Sequence, residues 1–172
     1  IYHFQQGENV CLSTSTSSGK SLVFYTCGIE VLSQNPKAKV LAIYPLKALG
    51  NQQKENWIKS LSEAQLNYKV NRIDGDIKAD HRLDIIEQSS ILIMTPDVIH
   101  SWLLAKLEEK QIKEFVKNLA LIIVDEIHSY TGVFGSNSAY LFRRLNHTIL
   151  TLKGSLPQYI SASATVESPE IL

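Results

Sequence analysis

Short apolar runs alternate along this chain with longer stretches in which apolar residues recur at helical spacing. Residues 9–13, Asn-Val-Cys-Leu-Ser, form one such run, and residues 21–32 follow with apolar positions three and four apart. The first pattern predicts a buried strand and the second a helix. The pair of signals then repeats. Strands are expected over 39–44, 68–73, 91–94, 119–124 and 158–161, and helices over 46–61, 78–87, 98–104, 106–117 and 136–152. Turn residues punctuate the pattern. Pro45 stops the second run and Asp74-Gly75-Asp76 closes the third. After the fourth, Thr95 supplies an N-cap hydroxyl, Pro96 suits the first helical position, and Asp97 complements the helix dipole. Gly132 and Gly135 lead into the last long helix. The run 119–124 is apolar at every position, as a central parallel strand covered on both faces requires. The helix expected over 106–117 is charged and amphipathic, with a solvated outer face. No internal repeat interrupts the alternation. The whole pattern predicts an α/β domain with a mostly parallel sheet and helices on both faces.

Two of the strand ends carry chemistry. The first is followed by Thr14-Ser15-Thr16-Ser17-Ser18-Gly19-Lys20-Ser21, which opens a helix. Unpaired backbone N–H groups and the helix dipole make such a junction an anion site. Lys20 can reach the β- and γ-phosphates of a nucleotide, and the Ser21 hydroxyl can ligate Mg²⁺. The usual loop begins with glycine; here Thr14 holds that place, so the turn must be less demanding. The fifth strand ends in Asp125 and Glu126, followed by His128. Open α/β sheets bind their ligands at this edge, and two adjacent acids there are costly to desolvate unless something uses them. Asp125 is the candidate Mg²⁺ ligand and Glu126 the candidate base for an attacking water. His128 either links this site to a neighbouring segment or is an ordinary surface histidine.

Composition narrows the class. The chain has 172 residues, enough for one domain with a sizeable core. Seventeen basic and seventeen acidic residues balance, so no overall positive field announces a nucleic-acid partner. The charge is uneven, since residues 1–60 are basic on balance and residues 61–117 slightly acidic. Cys11 and Cys27 form no C-x-x-C pair and read as core residues in a reducing compartment, either a bacterial cytosol or a eukaryotic nucleus or cytosol. No run in these residues is long enough to span a membrane, and none reads as a signal peptide. The chain starts without an initiator Met and stops as another segment begins, which reads as a piece of a longer protein.

Further motifs carry a resemblance. Tyr44-Pro45-Leu46-Lys47-Ala48-Leu49, Thr95-Pro96-Asp97, Asp125-Glu126-Ile127-His128 and Ser163-Ala164-Thr165 follow the phosphate loop in order. With them the chain resembles the first, ATP-binding RecA-like motor domain of superfamily 2 helicases of the DEAD/DEAH-box group, over all of residues 1–172. The wording around Asp125, through Ser129-Tyr130-Thr131-Gly132-Val133-Phe134-Gly135-Ser136, and the later Leu141-Phe142-Arg143-Arg144-Leu145 are similar to MrfA/YprA-type DNA helicases. The resemblance implies that Ser163, Ala164 and Thr165 couple nucleotide state to nucleic-acid contact. It also implies a second RecA-like domain with arginine fingers and a C-terminal zinc-binding region elsewhere in the protein. The glutamine motif that reads adenine in many relatives has no clear counterpart, Gln5 and Gln6 being candidates only.

A physical reading of the surface agrees. Pro45 and Lys47, Gly75, and Thr95, Pro96 and Asp97 all follow strands, so a parallel sheet would gather them on one edge. Hydroxyls, helix-start N–H groups and one lysine suit phosphate contacts without base reading, hence sequence-tolerant binding of a single strand. Turn chemistry alone would explain Thr95–Asp97 equally well. Arg143 and Arg144 read as an exposed helix face. The expected function is coupling of Mg-ATP hydrolysis to movement along a nucleic acid, single-stranded DNA being favoured and RNA left open. The isolated piece, lacking the fingers, should hydrolyse ATP slowly. Two alternatives use the same residues: a nucleotide switch or small-molecule kinase without nucleic-acid coupling, and a binding module that has lost catalysis.

Overall fold

The structure, a computed structural model, describes residues 1–14 and 19–163, with the backbone alone at 47–49 and 133. In chain order the elements are α1 Tyr2–Gln5, β1 Val10–Ser13, α2 Lys20–Gln34, β2 Lys39–Ile43, α3 Lys47–Glu63, β3 Val70–Ile73, α4 Ala79–Gln88, β4 Ile91–Met94, α5 Pro96–Val98, α6 Lys110–Lys117, β5 Leu119–Val124, α7 Gly132–Lys153 and β6 Gln158–Ser163. The six strands form one sheet in the order β1-β6-β5-β2-β4-β3, and every neighbouring pair is parallel. The expected α/β architecture is therefore present.

The core lies on both sides of this sheet. Leu41 and Ile43 of β2 face a cluster that includes Trp102, Phe115, Leu141 and Leu145. Val40, Ala42 and the following Tyr44 face a second cluster with Phe24, Trp57 and Leu61. Residues of one strand thus alternate between two apolar layers, which is why the run reads as continuously hydrophobic. Each large side chain fully withdrawn from water contributes roughly 1.5–3 kcal/mol. None of the described helices is long and apolar enough to cross a membrane.

Several boundaries differ from the sequence expectation, each for a local reason. The first strand is not buried: among the described residues β1 is an edge strand paired only with β6, and its residues are half-exposed or exposed. Thr95 takes the N-cap position of α5, but its carbonyl rather than its hydroxyl accepts, from Val98 and Ile99 N–H, each at 3.2 Å. The helix expected over 98–104 is instead the single turn α5 running into a wider turn over Ile99–Leu103, in which Leu104 N–H reaches the Ile99 carbonyl at 2.9 Å. The charged helix begins only at Lys110 (α6), with Ile112, Phe115 and Val116 on its buried face. The last helix starts early, at Gly132. The short α1 carried no clear periodic signal; it is held by Phe4, which is buried.

Candidate functional site

The strand register decides which loops meet. Ile43 lies level with Met94 on one side and Val124 on the other, and Ile73 is level with Met94. Strands β2, β3, β4 and β5 therefore end on one line. On the other side of β5, Ser13 pairs with Ser163 across β1 and β6, and Thr14 N–H reaches the Ser163 carbonyl at 3.4 Å. The start of the phosphate loop and Ser163 are thus adjacent, and Ser163 is fully buried.

Gly19 stands at the N-cap of α2 with φ +84°, a backbone conformation that favours glycine, and its carbonyl accepts from Leu22 N–H at 3.0 Å. Lys20 follows as the first helical residue, and its Nζ donates to the Thr14 carbonyl at 3.0 Å. That bond folds the lysine back toward the end of β1. Ser21 is half-buried in the first turn of α2. Ser15, Thr16, Ser17 and Ser18 lie outside the described residues, as do Ala164 and Thr165.

At the end of β5, Asp125 is 7% exposed, and its N–H donates to the Ile43 carbonyl at 3.0 Å. Its carboxyl Oδ1 accepts the Glu126 N–H at 2.9 Å. Burial raises the Asp125 carboxyl above its ordinary value; the Glu126 N–H opposes this, the Glu126 charge adds to it, and Lys20 and His128 oppose it. Strand β6 lies between β1 and β5, and Lys20 is tied to Thr14 beside Ser163, so the lysine and the acidic pair stand at the same edge of the sheet. Glu126 adopts φ 52°, ψ 45°, a left-handed conformation that a side chain bearing Cβ rarely takes and that collects at functional sites. His128 Nε2 lies 3.3 Å from Glu126 Oε2, so the histidine is not an isolated surface residue.

A hard-oxygen set of one buried carboxylate and one hydroxyl suits Mg²⁺, which keeps waters and phosphate oxygens as its remaining ligands. Among the described residues no group of three or more His, Cys, Asp or Glu gathers to hold a metal without such help.

Beside this point the other three loops converge. Tyr44, Leu46, Arg72, Asp74, Met94 and Thr95 line one small depression at the ends of β2, β3 and β4. Gly75 and Asp97 are exposed there, Pro45 and Thr95 are half-buried, and Pro96 is buried. Of Lys47 only the backbone is described. The turn at Gly75 is anchored from below, which sequence reading missed. Arg72 Nη1 meets Asp74 Oδ2 at 2.7 Å, Asp74 being 1% exposed, and Asp74 Oδ1 accepts Asp76 N–H at 2.9 Å. Arg72 and Asp74 at i and i+2 on one strand face were the available signal. Arg143 and Arg144 stay outside the site, Arg144 Nη1 lying 3.0 Å from His100 Nδ1.

Comparison with known proteins agrees with this geometry. The DEAD/DEAH box helicase family model matches residues 1–172. ATP-dependent helicase HRQ1 of Saccharomyces cerevisiae is 37% identical over 98% of the chain, and the ATP-dependent helicase YprA of Bacillus subtilis is 34% identical over 99%. The chain spans only 16% and 22% of their respective lengths. The crystal structure of the DUF1998 helicase MrfA bound to DNA and AMPPNP superposes with a TM-score of 0.91 and 32% identity, covering 98% of this chain and 23% of that one. The α/β fold described above is thus the RecA-like fold of superfamily 2 helicases, and the chain belongs to the DEAD/DEAH box helicase family.

Proposed function

We propose that residues 1–172 form the ATP-binding motor domain of a helicase that couples ATP hydrolysis to movement along nucleic acid, DNA being the favoured strand. One observation carries the reading. Lys20, tied to Thr14 beside Ser163, and the Asp125–Glu126 pair stand at the same edge of the sheet, with three candidate nucleic-acid loops gathered beside them. In this reading Gly19, Lys20 and the backbone of 14–18 hold the phosphates. Ser21 and Asp125 hold Mg²⁺, which neutralises developing phosphate charge when bound. Glu126 takes the proton of the attacking water and His128 holds Glu126 in place. Ser163, with Ala164 and Thr165, passes the state of the phosphate site to the neighbouring loops. Pro45, Lys47, Gly75, Thr95 and Asp97 contact the nucleic-acid backbone, with buried Pro96 shaping its turn. In the same reading a second RecA-like domain of the same protein would supply the arginines and the relative motion, and a C-terminal zinc-binding region would lie elsewhere in it. The MrfA complex with DNA and AMPPNP supports both DNA and an adenine nucleotide as ligands. The free thiols of Cys11 and Cys27 fit a reducing compartment.

The test is ATP hydrolysis by the full-length protein, alone and with single-stranded DNA or RNA, in wild type, Glu126→Gln and Lys20→Ala. DNA is expected to raise turnover. Glu126→Gln should lower it by about a hundredfold or more while nucleotide still binds, and Lys20→Ala should weaken binding itself. Hydrolysis indifferent to both nucleic acids would overturn the helicase reading in favour of a nucleotide switch or kinase. Stimulation by RNA alone would overturn the choice of DNA.

A further inference from the structure

Between the phosphate-loop helix and the first nucleic-acid loop lies a hydrogen-bonded bridge centred on Gln53, which is outside the quoted motifs. The Tyr25 hydroxyl, on the first turns of α2, donates to Gln53 Oε1 of α3 at 2.6 Å. The Tyr44 hydroxyl, from the residue directly after β2, donates to the same oxygen at 3.4 Å. Tyr25 is 7% exposed and Tyr44 1%. Buried phenols require a partner, and here one carbonyl oxygen serves two. The bridge sits in an apolar layer with Phe24, Trp57 and Leu61, where hydrogen bonds are stronger than in water and an orphaned one is more costly.

Its two ends lie at the two functional surfaces. Tyr25 is four residues after Ser21, hence on the same helix face, and burial raises its hydroxyl while hydrogen bonds with Asn56 and Ser21 oppose the rise. Tyr44 immediately precedes Pro45 and lines the depression shared with Leu46, Asp74 and Thr95. Its backbone neighbour Ile43 carries the carbonyl that holds Asp125 N–H. Close packing keeps the bridge short. Tyr25 meets the Trp57 ring edge-on, with centroids 4.8 Å apart.

We propose that Gln53 is a positioning residue that locks the phosphate-loop helix to the loop after β2, so that nucleic acid seated on that loop accelerates hydrolysis at the phosphate site, a role that rests on the helicase reading. Gln53 touches neither nucleotide nor water in this scheme. It joins two elements that each do.

The experiment compares basal and single-stranded-DNA-stimulated ATP hydrolysis of the full-length protein in wild type, Gln53→Met, Gln53→Glu, Tyr25→Phe and Tyr44→Phe, with melting temperature recorded for each. Gln53→Met keeps the volume and removes the acceptor. Basal turnover should stay near wild type while the stimulation factor falls about fivefold or more, within the range of ordinary coupling between sites. Gln53→Glu, which keeps an acceptor oxygen, should restore it. Tyr25→Phe deletes one hydroxyl and leaves the ring, and should reduce stimulation even if Gln53→Met folds poorly. Full stimulation in Gln53→Met, or in Tyr25→Phe where Gln53→Met does not fold, overturns the proposal alone. So does a basal and stimulated rate falling in parallel with melting temperature. A wild type that no nucleic acid stimulates overturns the helicase reading and the proposal with it.

Discussion

Glu126 shows most directly how one residue can be held against its own preference. Its φ of 52° places Cβ near the carbonyl oxygen, at an energy of order 1–3 kcal/mol. Two bonds oppose the strain: Asp125 Oδ1 accepts the Glu126 N–H at 2.9 Å, and the Glu126 carbonyl accepts Ser129 N–H at 2.8 Å. The turn brings the carboxylate to 3.3 Å from His128 Nε2. Replacing Glu126 by glycine should therefore relax the backbone and raise unfolding stability by about 0.5–1 kcal/mol while abolishing hydrolysis. Replacing it by glutamine should slow hydrolysis by about a hundredfold or more without that gain. Urea unfolding of the two variants beside wild type decides the matter, and a glycine variant less stable than the glutamine variant would show that no strain is stored there. The acids themselves were legible in the sequence, because a continuous apolar run delivering two carboxylates has few other uses. The left-handed turn was not, since no local pattern of side chains encodes a φ angle at a glutamate.

At the scale of elements, the approach of α2 to α3 is set by a missing side chain. A Cβ on Gly28 would lie 2.5 Å from Cη2 and 2.9 Å from Cζ3 of Trp57, a ring with no exposed surface. Alanine is normally better than glycine inside a helix by about 1 kcal/mol. Here the clash should win, so Gly28→Ala is expected to destabilise by about 1–3 kcal/mol. An unfolding transition moved to higher denaturant would mean that Trp57 yields without resistance. The same contact keeps Tyr25 and Gln53 within reach of one another, so this variant should also loosen the bridge between phosphate site and loop. In the sequence nothing marks Gly28, Tyr25 or Gln53, and Tyr44 stands out only as the start of the Tyr44–Leu49 motif. Their meeting depends on the angle between two helices separated by β2, which no window of the chain contains. Helix ends failed for a similar reason. Thr95 has the hydroxyl for a cap, yet the backbone carbonyl makes the bonds and the turn widens at Ile99–Leu103 around buried Trp102 and Leu103.

Across the whole molecule the sheet is covered unevenly. Helices α4, α6 and α7 pack over one face from β3 to β5, while α2 and α3 pack over the other. Beyond α7 a groove of about 620 Å³ stays open beside β1 and β6, bordered by Cys11, Tyr130, Ser138, Phe142 and Tyr159. The hydroxyls of Tyr130 and Ser138 are buried in it without a hydrogen-bond partner among the described residues. An unsatisfied buried hydroxyl costs about 1–3 kcal/mol, and alanine favours the helix over serine. Ser138→Ala is accordingly expected to stabilise these 172 residues by about 1 kcal/mol. Loss of stability on thermal unfolding would show instead that the hydroxyl is engaged.

The sequence by itself determined the class of fold, the order of the six strands and the two chemical motifs. Those rest on local causes: apolar periodicity, punctuation by proline and glycine, and the few residue types able to hold phosphate and Mg²⁺. It also named the three loops that gather at one edge, because parallel strands joined by helices leave no other place for them. Only the tertiary structure decided that β1 lies at the edge, paired with β6 so that Thr14 meets Ser163, and that Lys20 comes to act on Asp125. It alone buried Asp74 against Arg72, and joined Tyr25 to Tyr44 through Gln53. These are contacts between segments far apart in the chain, selected by strand order and helix packing angle. Strand order and packing follow from the total burial of both sheet faces, and no single stretch of residues carries that sum.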